Sequence, residues 1–406
     1  MSENSQPISI ETKLSFKTIR KNILLMFFIS FISALEFFGP IFTLYLEEKL
    51  DSGILISAIF VGGALTIVIL EGPSGAFGDL LGRKKALIIA AFGHVLALLF
   101  LIVGGSVFWL LFFKIIESIA LSLWSGIDIA LIYDTLLHKP KEGKVSFKKI
   151  IGIYNMLWPS GAILGALVGG ILAEKSLLLP FIYTLIPWGI CTGLALGLTE
   201  PPYEKPVHQS FLFQMKNSAK TIFKNRDLIL LILTGFLAFA TLEVPFQFRS
   251  IFFDARGISP TYLGILSALS YVFSLLGSFF SDGISSRIGD KLTLILSQAL
   301  HGLFILIVTF ITNPYIFIGI YVFSSFFWGV RWPVLSYEIN KRIKSSERAT
   351  INSFFNLGKE AALVIFMPIF GGIMDIADIT IAFQIFTILQ FGAAFLLVRL
   401  SKINDS

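Results

Sequence analysis

The amino-acid sequence predicts an all-α membrane protein with twelve transmembrane helices, arranged as two pseudo-symmetric six-helix bundles. A strongly apolar composition, twelve apolar runs and an internal repeat predict this fold. The 406-residue chain is 55% hydrophobic and 14% charged, with a mean hydropathy of +0.83. Soluble proteins carry roughly 25% charged residues, so the charge here is too sparse to cover a surface in water. The bilayer is therefore expected to be the main solvent of the chain.

The apolar runs form two sets of six, separated by a polar stretch at 199–227. A helix needs ~20 residues to cross a membrane, and the runs bracket that length. They cover about residues 22–46, 53–79, 85–105, 107–137, 149–173 and 177–198, and then 228–252, 260–283, 291–312, 314–340, 350–373 and 378–399. We expect residues 1–198 to form one bundle, 199–227 a cytoplasmic linker and 228–406 the second bundle. Residues 1–15 carry no signal-peptide pattern, so the first run is expected to direct insertion and to stay.

The basic residues predict the orientation of the spans. If the N-terminus is cytoplasmic, 25 of the 32 Lys and Arg residues fall on that side and only Lys49, Lys175 and Arg256 fall on the other. This asymmetry predicts a multi-pass protein of the cell membrane with both termini in the cytoplasm. It also accounts for the net charge of +6 without a nucleic-acid partner.

The linker is expected to contain a helix that lies on the membrane surface. Lys216, Lys220 and Lys224 are four residues apart and would face anionic headgroups. The other face would carry Phe211, Met215 and Phe223. A solvated loop with accidental spacing is the alternative.

Short matches between the two halves indicate an internal repeat. They recur in the same order at offsets of 207, 207, 204 and 202 residues and pair Gly82-Arg83-Lys84 with Gly289-Asp290-Lys291, Leu35-Glu36 with Leu242-Glu243, Tyr133-Asp134 with Tyr337-Glu338, and Gly169-Gly170 with Gly371-Gly372. With six spans each, the halves enter the membrane in the same direction. An axis along the membrane normal would relate them, which predicts a binding site between them near the midplane.

The loop after the second span carries a recognisable motif. Gly75-Ala76-Phe77-Gly78-Asp79-Leu80-Leu81-Gly82-Arg83-Lys84-Lys85 resembles the signature Gly-x-x-x-Asp-Arg/Lys-x-Gly-Arg-Arg/Lys of the major facilitator superfamily. Only Leu80 departs from it, at the first basic position. The resemblance implies that Gly75, Asp79, Gly82 and Arg83 help to latch the cytoplasmic ends of the halves together, with Asp134 as the partner of Arg83. A simple topology anchor is the alternative.

The fifth span carries a second resemblance. Gly152, Gly161, Gly165, Gly169 and Gly170 match the glycine spacing of proton-coupled antiporters, especially drug exporters, although Ala166 replaces the proline of that pattern. The alternative is a small-xxx-small ladder that lets helices pack closely. A third, weaker match is Lys114-Ile115-Ile116-Glu117-Ser118, where drug antiporters often show Arg-x-x-Gln-Gly.

Charged residues inside the spans are candidates for function, because each costs about 2.5–3.5 kcal/mol at the centre of a membrane helix. They are Glu36, Glu71, Lys114, Glu117, Asp128, Glu243, Arg331, Lys359 and Glu360, and Arg249 is a further basic residue that falls within a span. Helical periodicity predicts that Lys114, Glu117 and Asp128 share one stripe of span four. A salt bridge between Lys114 and Glu117 that only holds helices together is the alternative, and Asp128 would then belong to the latch.

Glu36 and Glu243 are the best candidates for proton coupling. They occupy equivalent repeat positions in spans one and seven, which line the central cavity in the resembled family. Each lies near a proline, Pro40 or Pro245, where a helix can bend. We expect one or both to bind the transported proton in competition with a cationic or polar substrate. A fixed ion pair with Arg331 or Lys359 is the alternative.

Together these patterns predict a secondary transporter that works by alternating access, with proton-coupled efflux of a small drug-like or metabolite molecule. Uptake of a nutrient by proton symport and a non-transporting sensor are the alternatives. No ATP-binding loop, metal cluster or activated nucleophile is visible, so we expect no enzymatic activity, no cofactor and no metal. The expected partners are the small-molecule substrate, protons and the lipid bilayer, and the protein is expected to act as a monomer. Trp124, Trp328 and Trp332 could form an aromatic wall for a lipophilic substrate, or simply lie at interfaces.

Overall fold

A computed structural model describes residues 14–137, 146–202, 226–343 and 348–399, but not the side chains of 71–80, 227 and 348–353. The predicted interfacial helix of the linker lies outside the described residues. Within the described part every regular element is a helix. The first half contains α1 Phe16–Ser33, α2 Phe42–Leu50, α3 Gly53–Leu81, α4 Arg83–Val103, α5 Val107–Trp124, α6 Ile127–Leu137, α7 Phe147–Lys175 and α8 Leu179–Leu196. The second half contains α9 Arg226–Asp254, α10 Pro260–Ile288, α11 Asp290–Phe310, α12 Pro314–Lys341, α13 Arg348–Ile376 and α14 Ile379–Val398.

Eleven segments of the described chain are long and apolar enough to cross a membrane. The prediction of a helical membrane protein is therefore confirmed. The first predicted span is not among the eleven, because it is divided into α1 and α2. Lys17, Arg20 and Lys21 lie within α1, and α2 has only nine residues. The count of twelve stays a prediction that depends on α1 and α2 acting together as one span.

The helices of the two halves meet in three pairs: α3 with α13, α7 with α10 and α2 with α9. These contacts gather at one end of the bundle, which we call the gate end. It is the end where the chain turns at 51–52, 104–106, 176–178, 255–259, 311–313 and 377–378. Ten hydrogen bonds between described residues of the two halves lie near this end or at the break between α1 and α2.

The two repeat copies share a backbone conformation where their sequences match. Gly82 has φ +92° and ψ 151°, and Gly289 has φ +83° and ψ 149°. Both glycines immediately precede a helix, α4 or α11. A residue with a side chain is strained at such φ values, so glycine is required at both turns.

Candidate functional site

The first span is not helical at residues 34–41, between α1 and α2. Pro40 lies in this break and lacks the backbone N–H that a continuous helix would need. The freed N–H of Phe37 donates to Thr184 Oγ1 of α8 at 3.1 Å. Glu36 therefore lies on irregular backbone inside the bundle, a conformation that membrane proteins tolerate where it is buried in protein or lines a cavity.

Three glycines of α7 provide the surface against which this break packs. A Cβ atom at Gly161 or Gly169 would overlap a carbonyl oxygen of the first span, and one at Gly165 would lie 3.1 Å from another. By contrast, a Cβ at Gly152 would have no atom within 4 Å. Close packing therefore accounts for three members of the predicted series. The link between this series and antiport stays a prediction.

A charged cluster lies in the first half beside the break. Lys114 Nζ donates to Glu117 Oε2 at 2.6 Å, so the ion pair foreseen as the structural alternative is present. Glu36 is within electrostatic range of both charges. The ammonium of Lys114 also lies 5.7 and 5.6 Å from the ring centroids of Phe42 and Phe60, at cation–π distance.

Asp128 does not continue this cluster. The fourth span is divided into α5 and α6 at Gly126, which has φ +80°, so the helical phase is lost between Glu117 and Asp128. Asp128 Oδ2 instead accepts a hydrogen bond from the Tyr154 hydroxyl of α7 at 2.7 Å. The expectation of one continuous stripe through Lys114, Glu117 and Asp128 is wrong, because it assumed an unbroken helix.

A cavity with a volume of about 280 Å³ lies almost wholly in the second half. Trp158 of α7 is the single lining residue from the first half. The wall combines aromatic rings with hydroxyl, amide and imidazole groups, namely Phe246, Tyr271, Tyr321, Trp328 and Phe383 with Ser267, Ser270, Ser274, Ser325, His301 and Gln390. Such a lining suits a small solute that has a flat ring and several hydrogen-bonding groups.

Glu243 is the one carboxylate among the residues that line this cavity. It is half-buried, and its Oε1 accepts a hydrogen bond from Gln247 Nε2 at 2.6 Å. The described residues form no salt bridge within 4.0 Å that includes Glu36 or Glu243, so an ion pair with Arg331 or Lys359 is not formed in this conformation. The helix α9 continues through Pro245, unlike the broken first span.

A second cavity of about 40 Å³ holds Glu36 together with Arg249. It shares Trp158, Ser267 and Tyr271 with the larger cavity. Arg249 is 6% exposed, and its Nη2 donates to the carbonyl oxygen of Gly39 in the break at 3.2 Å. The sequence predicts only that Arg249 lies within a span, because Gly39 is 210 positions away in the chain and nothing near Arg249 points to it.

The predicted tryptophan wall is only partly formed. Trp328 lines the cavity, and its ring is stacked 6.3 Å from that of Trp332. Trp124 lies elsewhere, with its ring edge-on to Trp188 in the first half at 5.6 Å. Lys359 lies 5.3 Å from the ring centroid of Trp332, a cation–π contact that sequence spacing does not reveal.

Two glycine pairs bring the halves into backbone contact at the gate end. An added Cβ at Gly371 of α13 would overlap Gly53 of α3, and one at Gly170 of α7 would lie 2.9 Å from the Cα of Gly264 of α10. Glycine at such crossings lets helix backbones approach closely. Gly170 therefore differs from the other α7 glycines, because it contacts the opposite half and not the first span.

One carboxylate lies four residues after Gly371 and another lies four residues after Gly170. Each of them caps a helix of the opposite half. Asp375 Oδ2 accepts from the backbone N–H of Ile54 at 3.0 Å, and Glu174 Oε2 accepts from the backbone N–H of Thr261 at 3.1 Å. Backbone N–H groups at a helix start have no partner within the helix, so both carboxylates satisfy groups that would otherwise stay unpaired. Neither carboxylate was predicted from the sequence, although each follows a glycine of the internal repeat by four residues, as in Gly170–Glu174 and Gly371–Asp375.

The signature loop joins α3 and α4 at the opposite end of the bundle. Arg83 Nε lies 3.2 Å from Asp134 Oδ2, which is the contact that the resemblance implied. Gly82 provides the turn before α4. The side chain of Asp79 and the surroundings of Gly75 lie outside the described residues. The contact of Arg83 is made within the first half, so its role in latching the halves stays a prediction.

Glu200, which follows α8, also contacts this loop, and the sequence alone does not single it out. Its carboxylate oxygens accept hydrogen bonds from the backbone N–H groups of Arg83 and Lys84 at 2.7 and 2.8 Å. A Cβ at Gly82 would lie 3.1 Å from this carboxylate. Glu200 thus caps α4 from the end of the first half, 117 residues away.

The chain was compared with known proteins. The family model described as Major Facilitator Superfamily matches residues 23–257 and 244–405. A curated relative, an uncharacterized MFS-type transporter named YxaM from Bacillus subtilis (strain 168), is 25% identical over 251 residues. That match covers 58% of this chain and 59% of the relative, so less than two thirds of the relative's length is spanned.

Solved transporter structures share the fold at low sequence identity. The nucleoside transporter NupG has a TM-score of 0.79 and 17% identity over 94% of this chain and 99% of its own. A D-xylose-proton symporter has a TM-score of 0.70 and 14% identity over 95% and 97% of the two chains. The family model spans most of the sequence, and this chain belongs to the Major Facilitator Superfamily.

Proposed function

We propose that this protein is a proton-coupled transporter in which Glu243 takes up and releases the transported proton. The observation that carries the proposal is the position of Glu243. It is the one carboxylate among the residues that line the larger cavity, and no salt bridge of the described residues fixes its charge. A carboxylate in such a place can exchange its proton as the cavity changes its access to water.

The contacts between the halves support alternating access. Their hydrogen bonds cluster at the gate end and at the break. The distribution of basic residues supports an orientation with the gate end outside the cell and both termini inside it. The protein would then be closed toward the outside of the cell membrane in this conformation. Opening requires the halves to separate at the gate end and to meet at the other end, as a monomer can do by rocking.

The proposed direction is efflux of a small metabolite or drug-like molecule. The support is the resemblance of the α7 glycines to those of proton-coupled exporters. Uptake by symport uses the same fold and the same carboxylate. The relative direction of proton and solute therefore decides between the two.

The test uses purified protein in proteoliposomes that contain a pH-sensitive dye, with antibiotics, lipophilic cations and small metabolites added one at a time. We expect at least one compound to trigger proton movement opposite to its own. Glu243→Gln should abolish that proton movement yet keep exchange of labelled for unlabelled solute, since exchange needs no net transfer of protons.

The matched control is Glu48→Gln, because Glu48 is exposed at the gate end and pairs with its neighbour Lys49. It should behave as the unaltered protein does. Proton movement that survives in Glu243→Gln would remove the coupling role. Proton movement in the same direction as the solute would show symport, and solute binding without any transport would show a sensor.

A further inference from the structure

A buried arginine next to the cavity has no partner for its most specific hydrogen-bonding edge. Arg331 of α12 is 3% exposed, and its Nε and Nη2 atoms are buried without a hydrogen bond. These two nitrogens form the side-on edge of the guanidinium, whose parallel N–H groups match the two oxygens of a carboxylate. An arginine stays charged in proteins, so this edge is a buried cation that lacks an anion.

No acidic group of the described residues neutralises this cation. The salt bridges of the described residues do not include Arg331. The next acidic residue on its own helix is Glu338, two turns or ~10 Å further along. Glu338 is already paired with Arg342. A buried charge without a partner lowers stability, which makes it unusual unless a ligand supplies the missing charge.

The surroundings of Arg331 offer further unpaired donors. Gln298 of α11 is 1% exposed, and neither its Nε2 nor its Oε1 has a hydrogen bond. Its backbone carbonyl accepts from Gln390 Nε2 at 3.1 Å, and the same Nε2 lies 3.0 Å from His301 Nδ1. Gln298 and His301 of α11 are therefore linked through Gln390 of α14, and Arg331 of α12 lies within electrostatic range of His301. We call these four residues the polar group.

This polar group adjoins the cavity that contains Glu243. His301, Gln390 and Trp328 all line the cavity. Trp328 precedes Arg331 by three residues, so the two lie about one turn apart on the same side of α12. Arg331 itself is not among the lining residues, so the cavity must extend past these side chains for a solute to reach the guanidinium.

We propose that Arg331, together with the unpaired amide of Gln298, binds the carboxylate of the transported solute. The two N–H groups of the guanidinium edge and the amide N–H of Gln298 supply three donors for two oxygens. The aromatic and hydroxyl-bearing wall would hold the remainder of the molecule. The inference rests on the proposed transport function, and it assigns the solute to the class of small organic acids.

The first test measures binding by thermal unfolding of the full-length protein in detergent. The probes are benzoate, nicotinate and lactate, their uncharged amides benzamide, nicotinamide and lactamide, and chloride and inorganic phosphate as free anions. We expect at least one carboxylate to raise Tm in a concentration-dependent way, while its amide does not. Arg331→Lys keeps the charge but loses the fork, and should weaken that carboxylate's affinity by roughly ten-fold or more.

Arg399→Lys is the matched control, because Arg399 is exposed at the end of α14. Its affinity for the carboxylate should equal that of the unaltered protein. The inference is overturned if no carboxylate binds, if the amide binds equally well, if Arg331→Lys binds as tightly as the control, or if only chloride or phosphate binds.

A second test uses stability without any ligand. Arg331→Met removes the buried cation and retains an unbranched apolar side chain, so its Tm should equal or exceed that of the unaltered protein. A structural role would give the opposite result. A clear fall in Tm would show that Arg331 has a stabilising partner and would overturn the inference.

The two proposals fail in different ways. If carboxylate binding depends on Arg331 but no compound moves protons through Glu243, the carboxylate site is supported and the proton-coupling role of Glu243 is refuted. If uncharged or cationic compounds drive proton movement through Glu243 while carboxylates are neither bound nor transported, the proton-coupling role is supported and the carboxylate site at Arg331 is refuted.

Discussion

Asp375 caps the start of α3 from the opposite half, with its Oδ2 3.0 Å from the backbone nitrogen of Ile54 and also 3.0 Å from Ser52 Oγ. Glu174 makes the corresponding cap on α10 through Thr261. These two caps and the glycine crossings beside them hold the gate end closed. Each joins a rigid helix of one half to the first turn of a helix in the other.

Removing the negative charge of Asp375 should favour opening of the gate end. In Asp375→Asn the amide oxygen is a weaker acceptor than the carboxylate. Loss of the cap should destabilise the closed gate end by ~1 kcal/mol relative to the open one, which is about a five-fold shift between the two populations. The measurement is labelling of a cavity cysteine, Ser270→Cys in a Cys191→Ser background, by a membrane-impermeant maleimide from the gate-end side. Labelling should be faster in Asp375→Asn.

Asp378→Asn is the control for this experiment. Asp378 is also an acidic cap at the gate end, but it accepts from Ile381 within its own half, at 2.9 Å. Its labelling rate should match that of the background protein. Equal rates in Asp375→Asn and the control would show that the cap between the halves does not hold the gate end closed.

The α7 glycines should differ sharply in their tolerance of a methyl group. Gly169→Ala would place its Cβ against the carbonyl oxygen of Phe37 in the break, and the overlap should cost about 1–3 kcal/mol. Gly152→Ala meets no atom within 4 Å and should be neutral or slightly stabilising. Thermal unfolding of both variants in detergent checks this order. Similar losses at both positions would mean that packing against the first span is not the reason for glycine at 169.

The ion pair in the first half should show strong coupling between its members. The side chains of Lys114 and Glu117 are 21% and 15% exposed, so removal of either one leaves the other partly buried and uncompensated. Lys114→Met and Glu117→Leu should each lower the free energy of unfolding by about 1–3 kcal/mol. The double variant should lose less stability than the sum of the two single losses.

A double-mutant cycle on thermal stability measures this coupling. The exposed pair of Glu48 and Lys49 provides the comparison, and should show a coupling of at most ~1 kcal/mol. If the effects of Lys114→Met and Glu117→Leu simply add, the two charges do not stabilise each other and their contact has little energetic weight.

Loss of the cap from Glu200 should loosen the first turn of α4. Glu200→Ala removes the acceptor for the N–H groups of Arg83 and Lys84, at an expected cost of about 0.5–2 kcal/mol. Amide hydrogen exchange of a peptide that covers residues 82–88 should become faster. The first turn of α11, which begins at Asp290, serves as the internal reference and should keep its rate.

Much of the fold was predictable because membrane-spanning helices are specified by local composition. The turn glycines Gly82 and Gly289 were found through the repeat, and the partner of Arg83 through a family motif. Pro40 indicates a bend in span one, but neither the length of that break nor the interruption of span four was predicted, since an apolar run looks the same whether or not its helix is broken. Gly126 is the local signal that could have revealed the second interruption.

The missed site residues have a common cause. Glu200, Arg249, Glu174 and Asp375 each act on the backbone of a residue that is 87 to 322 positions away in the chain. A backbone group looks alike in every residue, so the sequence carries no sign of the partner. Gln298 was missed for a different reason: an uncharged amide inside a span is usually hydrogen-bonded, and only the structure shows that this one is buried without a partner.

The cavity wall belongs almost wholly to the second half, with Trp158 as the exception. The broken first span, the α7 glycines that pack against it and the charged cluster of Lys114 and Glu117 belong to the first half. Under the proposed function, most residues that contact the solute are thus encoded downstream of the linker, and the broken span is encoded upstream of it. New specificities could evolve by substitutions downstream of the linker while the upstream half stayed constant, and a chimera that joins this first half to the second half of a related transporter should inherit the solute of the latter.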